Sequence, residues 1–216
     1  MNTMIEDKMQ VGEISKPRFE FRSFGQEFGG AAERMVSLSI PVPEKLRVRH
    51  SNEIYIMSRS NNINNTKIRA GKLDIKTHLR TVSGLEQWNP LLKCEFPVPV
   101  NIIRDQLFDA FQVEPPEFQQ PEYTLDEFLF IVKNHQELHA VRVDKERFAY
   151  TVNDTICEVG NVKINGVKLI TINSESTEIA DIQKTLRDVG LTEYENINYL
   201  QAIKRVIGWI DKPLAS

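Results

Sequence analysis

The 216-residue chain has only two cysteines, Cys94 and Cys157, and they form no metal-type spacing. A disulfide framework or a cysteine-based zinc site is therefore not expected, and both thiols read as reduced, structural residues of a cytoplasmic protein. No apolar run approaches the roughly 18 residues a membrane-spanning helix needs. The opening "MNTMIEDKMQVGEISKP" is of mixed charge and lacks an apolar stretch, so it does not read as a secretory leader. A basic excess is also missing: 27 Lys and Arg face 30 Asp and Glu, a net charge of -3. Nothing global points to nucleic acid, and any anion site has to come from local clustering of cations. The glycine-rich phosphate loop, the Gly-x-Ser-x-Gly elbow and a Cys/His nucleophile pair are absent as well.

What is present is strand alternation in two blocks separated by helices. Residues 1–16 read as a flexible tail and 17–216 as a single domain. "RFEFRSF" (18–24) is a strand, followed by a helix over 25–38 weakened by Gly29 and Gly30. "EKLRVRH", "NEIYIMSRS", "TKIRAG", "KLDIKTHLR" and "LLKCEFPV" read as strands, with a turn at "NNINN" and a division at Ala70-Gly71. Helices follow at "NIIRDQLFDAFQ" and, after a proline-rich loop, at "TLDEFLFIVKNH", where Thr124 and Glu127 make a capping box. Three further strands are joined by turns at Asn153-Asp154 and Asn165-Gly166. Two helices end the chain, one stopping at Gly190 and one before Pro213. About eight strands in adjacent hairpins with outer helices give an α+β fold around an antiparallel sheet.

The strand "KLDIKTHLR" raises the functional question. Its alternation places Lys72, Asp74, Lys76, His78 and Arg80 on one face and Leu73, Ile75, Thr77 and Leu79 on the other. The same cationic face recurs at Arg18 and Arg22, at Lys67 and Arg69, at Lys93, and at Arg142, Lys145 and Arg147. Alternation alone fits an open sheet with a solvated outer face, which would suit a protein-interaction domain. Yet several helices need apolar partners. If the strands' apolar faces supply them, the barrel closes, or nearly so, with its charges inside. Buried unpaired cations are too costly for a packed core, so such an interior would hold water and a polyanion. Carboxylates among the cations would suit Mg²⁺ or Mn²⁺.

In this order of segments the sequence resembles the CYTH superfamily, the triphosphate tunnel metalloenzymes, over about residues 18–207. "RFEFRSF" stands where that family has a Glu-x-Glu-x-Lys strand, and "TKIRAGKLDIKTHL" resembles its basic hairpin. "VRVDKERFAYTV" resembles its Lys-x-Arg strand with a trailing aromatic, and the stretch from Cys157 to Leu191 its final hairpin and helix. The resemblance implies an eight-stranded antiparallel tunnel barrel with helices outside. It implies a partner that is a triphosphate-containing small molecule or polyphosphate, and a phosphoanhydride hydrolase if the site is active. Glu20, Lys76 and Arg147 would be catalytic. Arg22, Lys67, Arg69, Lys72, Lys76, Arg80, Lys93, Lys145 and Arg147 would bind substrate, and Glu20, Glu158 and Glu175 would hold Mg²⁺ or Mn²⁺. Two departures remove negative charge from the metal end: Arg18 stands at an acidic position, and an acid-x-acid pair is reduced to Asn173 and Glu175. A binding module without turnover is the alternative these departures suggest.

Three other features carry less. His135 and His139 have the spacing of a shared helix face, with no third ligand in evidence. His78 could touch phosphate or fill space. Trp88 in "GLEQWNP" and the tyrosines Tyr194 and Tyr199 read as packing residues.

Overall fold

The structure is a computed structural model and describes residues 17–215. The expected tail, residues 1–16, lies outside the described residues. In chain order the elements are β1 (Arg18–Gly25), α1 (Ala31–Leu38), α2 (Glu44–Arg47), β2 (Val48–Ser58), β3 (Asn64–Arg69), β4 (Lys72–Val82) and β5 (Leu85–Glu95). The short β6 (Val98–Pro99) leads into α3 (Val100–Ile102), a π-turn (Ile103–Leu107) and α4 (Phe108–Phe111). Then come β7 (Glu122–Tyr123), α5 (Leu125–Asn134), β8 (Leu138–Val152), β9 (Thr155–Ile164), β10 (Val167–Ser176), α6 (Ile179–Val189) and α7 (Tyr199–Val206). Among these helices none is long and apolar enough to cross a membrane.

Eight strands close into an antiparallel barrel in the order β1-β10-β9-β8-β2-β3-β4-β5 and back to β1. The expected closed α+β barrel is therefore the observed one, and the open half-solvated sheet is not. Four two-residue hairpins set the registers: Ala70-Gly71, Ser83-Gly84, Asn153-Asp154 and Asn165-Gly166. Both residues of each turn have positive φ, as the twist-matching type I′ turn requires. A side chain at Gly71 or Gly84 would meet no neighbour within 4 Å, so conformation rather than space selects glycine there.

Parity then assigns the faces. On the outside, Ile56, Ile68, Leu73, Ile75 and Cys94 pack under the α3–α4 segment and α5. Phe19, Phe21, Cys157 and Ile172 pack under α1 and α6. Fully burying each of the α6 residues Ile182, Leu186 and Val189 contributes about 1.5–3 kcal/mol. The capping box at Thr124 and Glu127 forms, and α6 ends on Gly190 with φ 73°. Both cysteines are free and buried.

The structure corrects several details. Residues 44–47 form one helical turn after Pro43 rather than a strand, and β2 then runs unbroken for 11 residues through both segments expected to be separate. The helix expected from residue 25 begins at Ala31, because Gly25 still belongs to β1 and Gly29 and Gly30 have positive φ. "LEQWNP" is the first half of β5. Pro90 is tolerated there because the ladder with β4 shifts register beside it. His135 caps the end of α5 while His139 lies in β8 beside Trp209, so they share no helix face.

The bore is also not polar throughout. At the end where β1 and β2 finish, the inward positions are Phe24, Tyr55, Met57, Val141, Val143, Val162 and Ile164. The chain from Asn196 to Val206 lies across this end. Ile197 N–H donates to Arg22 O at 2.6 Å, and Asn196 Nδ2 donates to Gly84 O at 2.8 Å. Tyr199 at the start of α7 stacks on Tyr55 with ring centroids 5.3 Å apart. The barrel is thus plugged by apolar side chains at one end and lined by charged ones at the other.

Candidate functional site

The charged end is a cavity of about 580 Å³. Nine cationic side chains line it against four carboxylates, and a fifth carboxylate, Glu53, is buried behind its wall. The formal excess is four positive charges inside a chain whose net charge is -3.

Three carboxylates stand on neighbouring strands, each held by an arginine. Glu20 on β1 pairs in register with Glu175 on β10, and Arg22 pairs with Asn173. Arg22 Nε donates to Glu20 Oε1 at 2.5 Å and Arg18 Nη1 donates to Glu175 Oε1 at 3.2 Å. Reaching over β8, Arg49 Nη2 on β2 donates to Glu158 Oε2 on β9 at 2.5 Å. Burial works to raise the Glu20 carboxyl, but Arg22, Lys76 and Lys67 outweigh it and hold it below the ordinary carboxylate value. Burial and the neighbouring Glu20 charge push Glu175 the other way, above that value.

On the β2, β3 and β8 side the charges form a buried network. Lys145 Nζ lies 2.8 Å from Glu53 Oε2, donates to Tyr55 Oη at 2.8 Å, and sits 3.7 Å from the Tyr199 ring centroid. Glu53 also faces Lys67 at 4.0 Å and Arg69 at 3.7 Å and accepts from Ser51 Oγ at 3.0 Å. Burial opposes its ionisation, yet Lys145 and Lys67 keep its carboxyl well below the usual range. Burial lowers both Lys145 and Lys67 from the ordinary lysine value. Asp74 completes the group, 3.9 Å from Lys67 and from Arg69.

The remaining lining cations are Lys76, Lys93 and Arg147. Among the described residues none of them has a carboxylate oxygen within 4 Å, the reach of every ion pair above. Arg147 donates to Ser51 Oγ at 3.2 Å, and its buried Nε has no partner. Its stem passes over Gly160 on β9, where an added Cβ would come within 3.4 Å of Arg147 Cγ.

Of the residues the sequence singled out, the cavity brings together Glu20, Arg22, Lys67, Arg69, Lys76 and Lys93, and with them Lys145, Arg147, Glu158 and Glu175. Two stand apart. Lys72 is at the rim, paired with Glu95 at 2.5 Å. Arg80 faces outward, because Leu79 is an extra residue in β4: His78 pairs with Trp88, but Arg80 pairs with Gln87. The bulge reverses the alternation, and Arg80 lies over the outer Phe19 ring. His78 contacts Thr81 at 3.0 Å and is not in the cavity lining. Arg142 also faces out and pairs with Asp144. Sequence reasoning missed Glu53, Tyr55 and Arg49. Their signal was the alternation Arg49, Ser51, Glu53, Tyr55 along one continuous strand.

Glu20, Glu158 and Glu175 do not fit the expected Mg²⁺ or Mn²⁺ site. The chemistry of the donors is right, but each carboxylate is already the counter-ion of an arginine. Among the described residues no three His, Cys, Asp or Glu side chains are grouped as a metal would need. Asn173 adds only one neutral amide oxygen, buried and without a partner.

No protein-family model matches the chain, and no curated protein matches it. Among solved structures the chain is similar to a candidate adenylate cyclase from Bacillus halodurans, at 9% identity with TM-score 0.48, covering 87% of this chain and 98% of that one. It is also similar to a protein from Hippeastrum described as a candidate adenylyl cyclase with a dominant triphosphatase activity. That match has 11% identity and TM-score 0.47 and covers 88% of this chain and 96% of that one. A third is the Mimivirus capping enzyme triphosphatase, at 11% identity and TM-score 0.40, with 81% and 89% covered.

Proposed function

We propose that the cavity binds a polyanion of the triphosphate or polyphosphate type. One observation carries this reading: an acidic chain gathers an excess of four positive charges in one cavity closed at its far end. Uncompensated cations on low-dielectric walls repel one another, and an anion removes that repulsion. A linear phosphate chain suits the arrangement, because Lys76, Lys93 and Arg147 come from three different strands around the bore. The forked guanidinium of Arg147 can bond two phosphate oxygens at once, which a lysine ammonium does less well. The buried carboxylates hold the cationic side chains in place. In this reading Glu20 orients Arg22 rather than attacking anything, and binding rather than turnover is the function.

Calorimetric titration with inorganic tripolyphosphate tests the reading, with orthophosphate as the control. Saturable binding with one site, much tighter for tripolyphosphate, is expected. Arg147→Ala should weaken it about tenfold or more, since a hydrogen bond to a charged group contributes about 1.5–3 kcal/mol. No heat and no thermal stabilisation at millimolar tripolyphosphate would contradict it.

A further inference from the structure

We propose that the polyphosphate is bound without a divalent cation, the guanidinium of Arg18 supplying the charge that a protein-held metal would otherwise bring. This rests on the anion-binding reading above. The three candidate ligands already have cationic partners. Glu20, Glu158 and Glu175 are each within hydrogen-bonding distance of a guanidinium, at 2.5, 2.5 and 3.2 Å. Each guanidinium occupies one carboxylate oxygen, so a metal on the other oxygen would set its double charge beside a cation already in place. Arg22 could not retreat: its side chain is 9% exposed, its Nη1 also donates to Thr171 at 3.2 Å, and it lies over the Tyr199 ring.

Local charge points the same way. Around the facing pair of Glu20 and Glu175 stand Arg18, Arg22 and Lys76, so two carboxylates are already outweighed. A divalent cation there raises a positive excess instead of neutralising a negative one. Tripolyphosphate carries roughly four to five negative charges near neutrality, one on each phosphoryl group and further charge at its ends. The cavity's formal excess of four positive charges nearly balances that alone. Arg18 is the residue best placed to act in the metal's stead. Its side chain is 41% exposed at the cavity mouth, so it can keep Glu175 and turn its remaining N–H groups to phosphate.

The test is titration of the full-length protein with inorganic tripolyphosphate, once in EDTA and once in excess Mg²⁺. Binding in EDTA equal to or tighter than in Mg²⁺ is expected, because Mg²⁺ competes for the anion. Binding at least tenfold weaker in EDTA would overturn the metal-free inference and leave the anion-binding reading standing. Absence of binding in both arms would overturn that reading itself. A second measurement uses Mn²⁺ alone, followed by electron paramagnetic resonance. The wild type should leave Mn²⁺ free, and Arg18→Glu/Asn173→Asp should bind it and need it for tripolyphosphate. Arg18→Gln, which changes less, should lose about tenfold in affinity in EDTA. Wild-type affinity in EDTA for either variant, or retention of Mn²⁺ by the wild type, would overturn the role given to Arg18.

Discussion

Replacing Glu53 with Gln separates stability from anion binding in one step. The carboxylate is fully buried and is the near partner of Lys145, whose side chain is 3% exposed. Glutamine keeps the volume but leaves the ammonium buried beside a neutral amide. Breaking a buried pair from one side costs about 3–5 kcal/mol. At about 2–4 °C per kcal/mol for a chain of this length, the melting temperature should fall by about 6–20 °C. Glu53→Gln/Lys145→Met, which removes both charges, should recover most of that loss. The effect should depend on pH in a defined direction. The carboxyl is held below its ordinary value of 4.5, so its stabilisation is complete above that value and is lost as pH falls towards the depressed one. The gap between wild type and the single variant should therefore be constant near neutrality and shrink in acid. Binding should move the opposite way. The variant's cavity has one more uncompensated cation, worth about 2 kcal/mol at roughly 8 Å and an effective dielectric of 20. At a pH where Lys145 keeps its proton, calorimetry should find tripolyphosphate bound about thirtyfold more tightly by the less stable protein. A single variant melting within 2 °C of wild type, or a double variant no better than the single, would refute the buried-pair reasoning.

Lys76→Ala should weaken tripolyphosphate binding about tenfold while leaving the empty protein as stable or slightly more so, since it removes repulsion; Arg80→Ala, on the outer face, should leave the binding isotherm unchanged. Lys204 is 2% exposed and donates to Arg59 O, Asn61 O and Asn62 Oδ1 at 2.7–2.9 Å, so Lys204→Met should orphan those acceptors. A loss of at least about 2 kcal/mol in denaturant unfolding is expected. Burial pushes the Cys94 thiol up to about 11 and raises Cys157 too. A thiol reagent at pH 8 should therefore react with neither in the native protein and with both in denaturant; fast native reaction would contradict their burial.

The barrel was legible because its signals are local. Positive-φ turn residues such as Asn165-Gly166 and unbroken alternation between them specify hairpins without tertiary information. The inward direction of the charges followed from the helices' need for apolar partners, and Ile68, Leu73 and Ile75 meet that need. What stayed hidden depends on partner strands. The bulge at Leu79 interrupts no pattern in "KLDIKTHLR", yet it turns Arg80 to the outside. The apolar plug was hidden because Tyr55, Met57 and Val141 look like any strand residues until α7 closes over them. Arg18 was visible in the sequence as a lost acid. That it would occupy Glu175 was not, because the two are 157 residues apart.

A crystal structure of the protein grown with tripolyphosphate would decide whether the barrel holds the anion. Phosphate density is expected inside the plugged barrel, within hydrogen-bonding distance of Lys76, Lys93 and Arg147, with Glu53 still on Lys145. Phosphate found only on the outer strand faces, or a cavity collapsed so that those three cations pair with carboxylates, would contradict it.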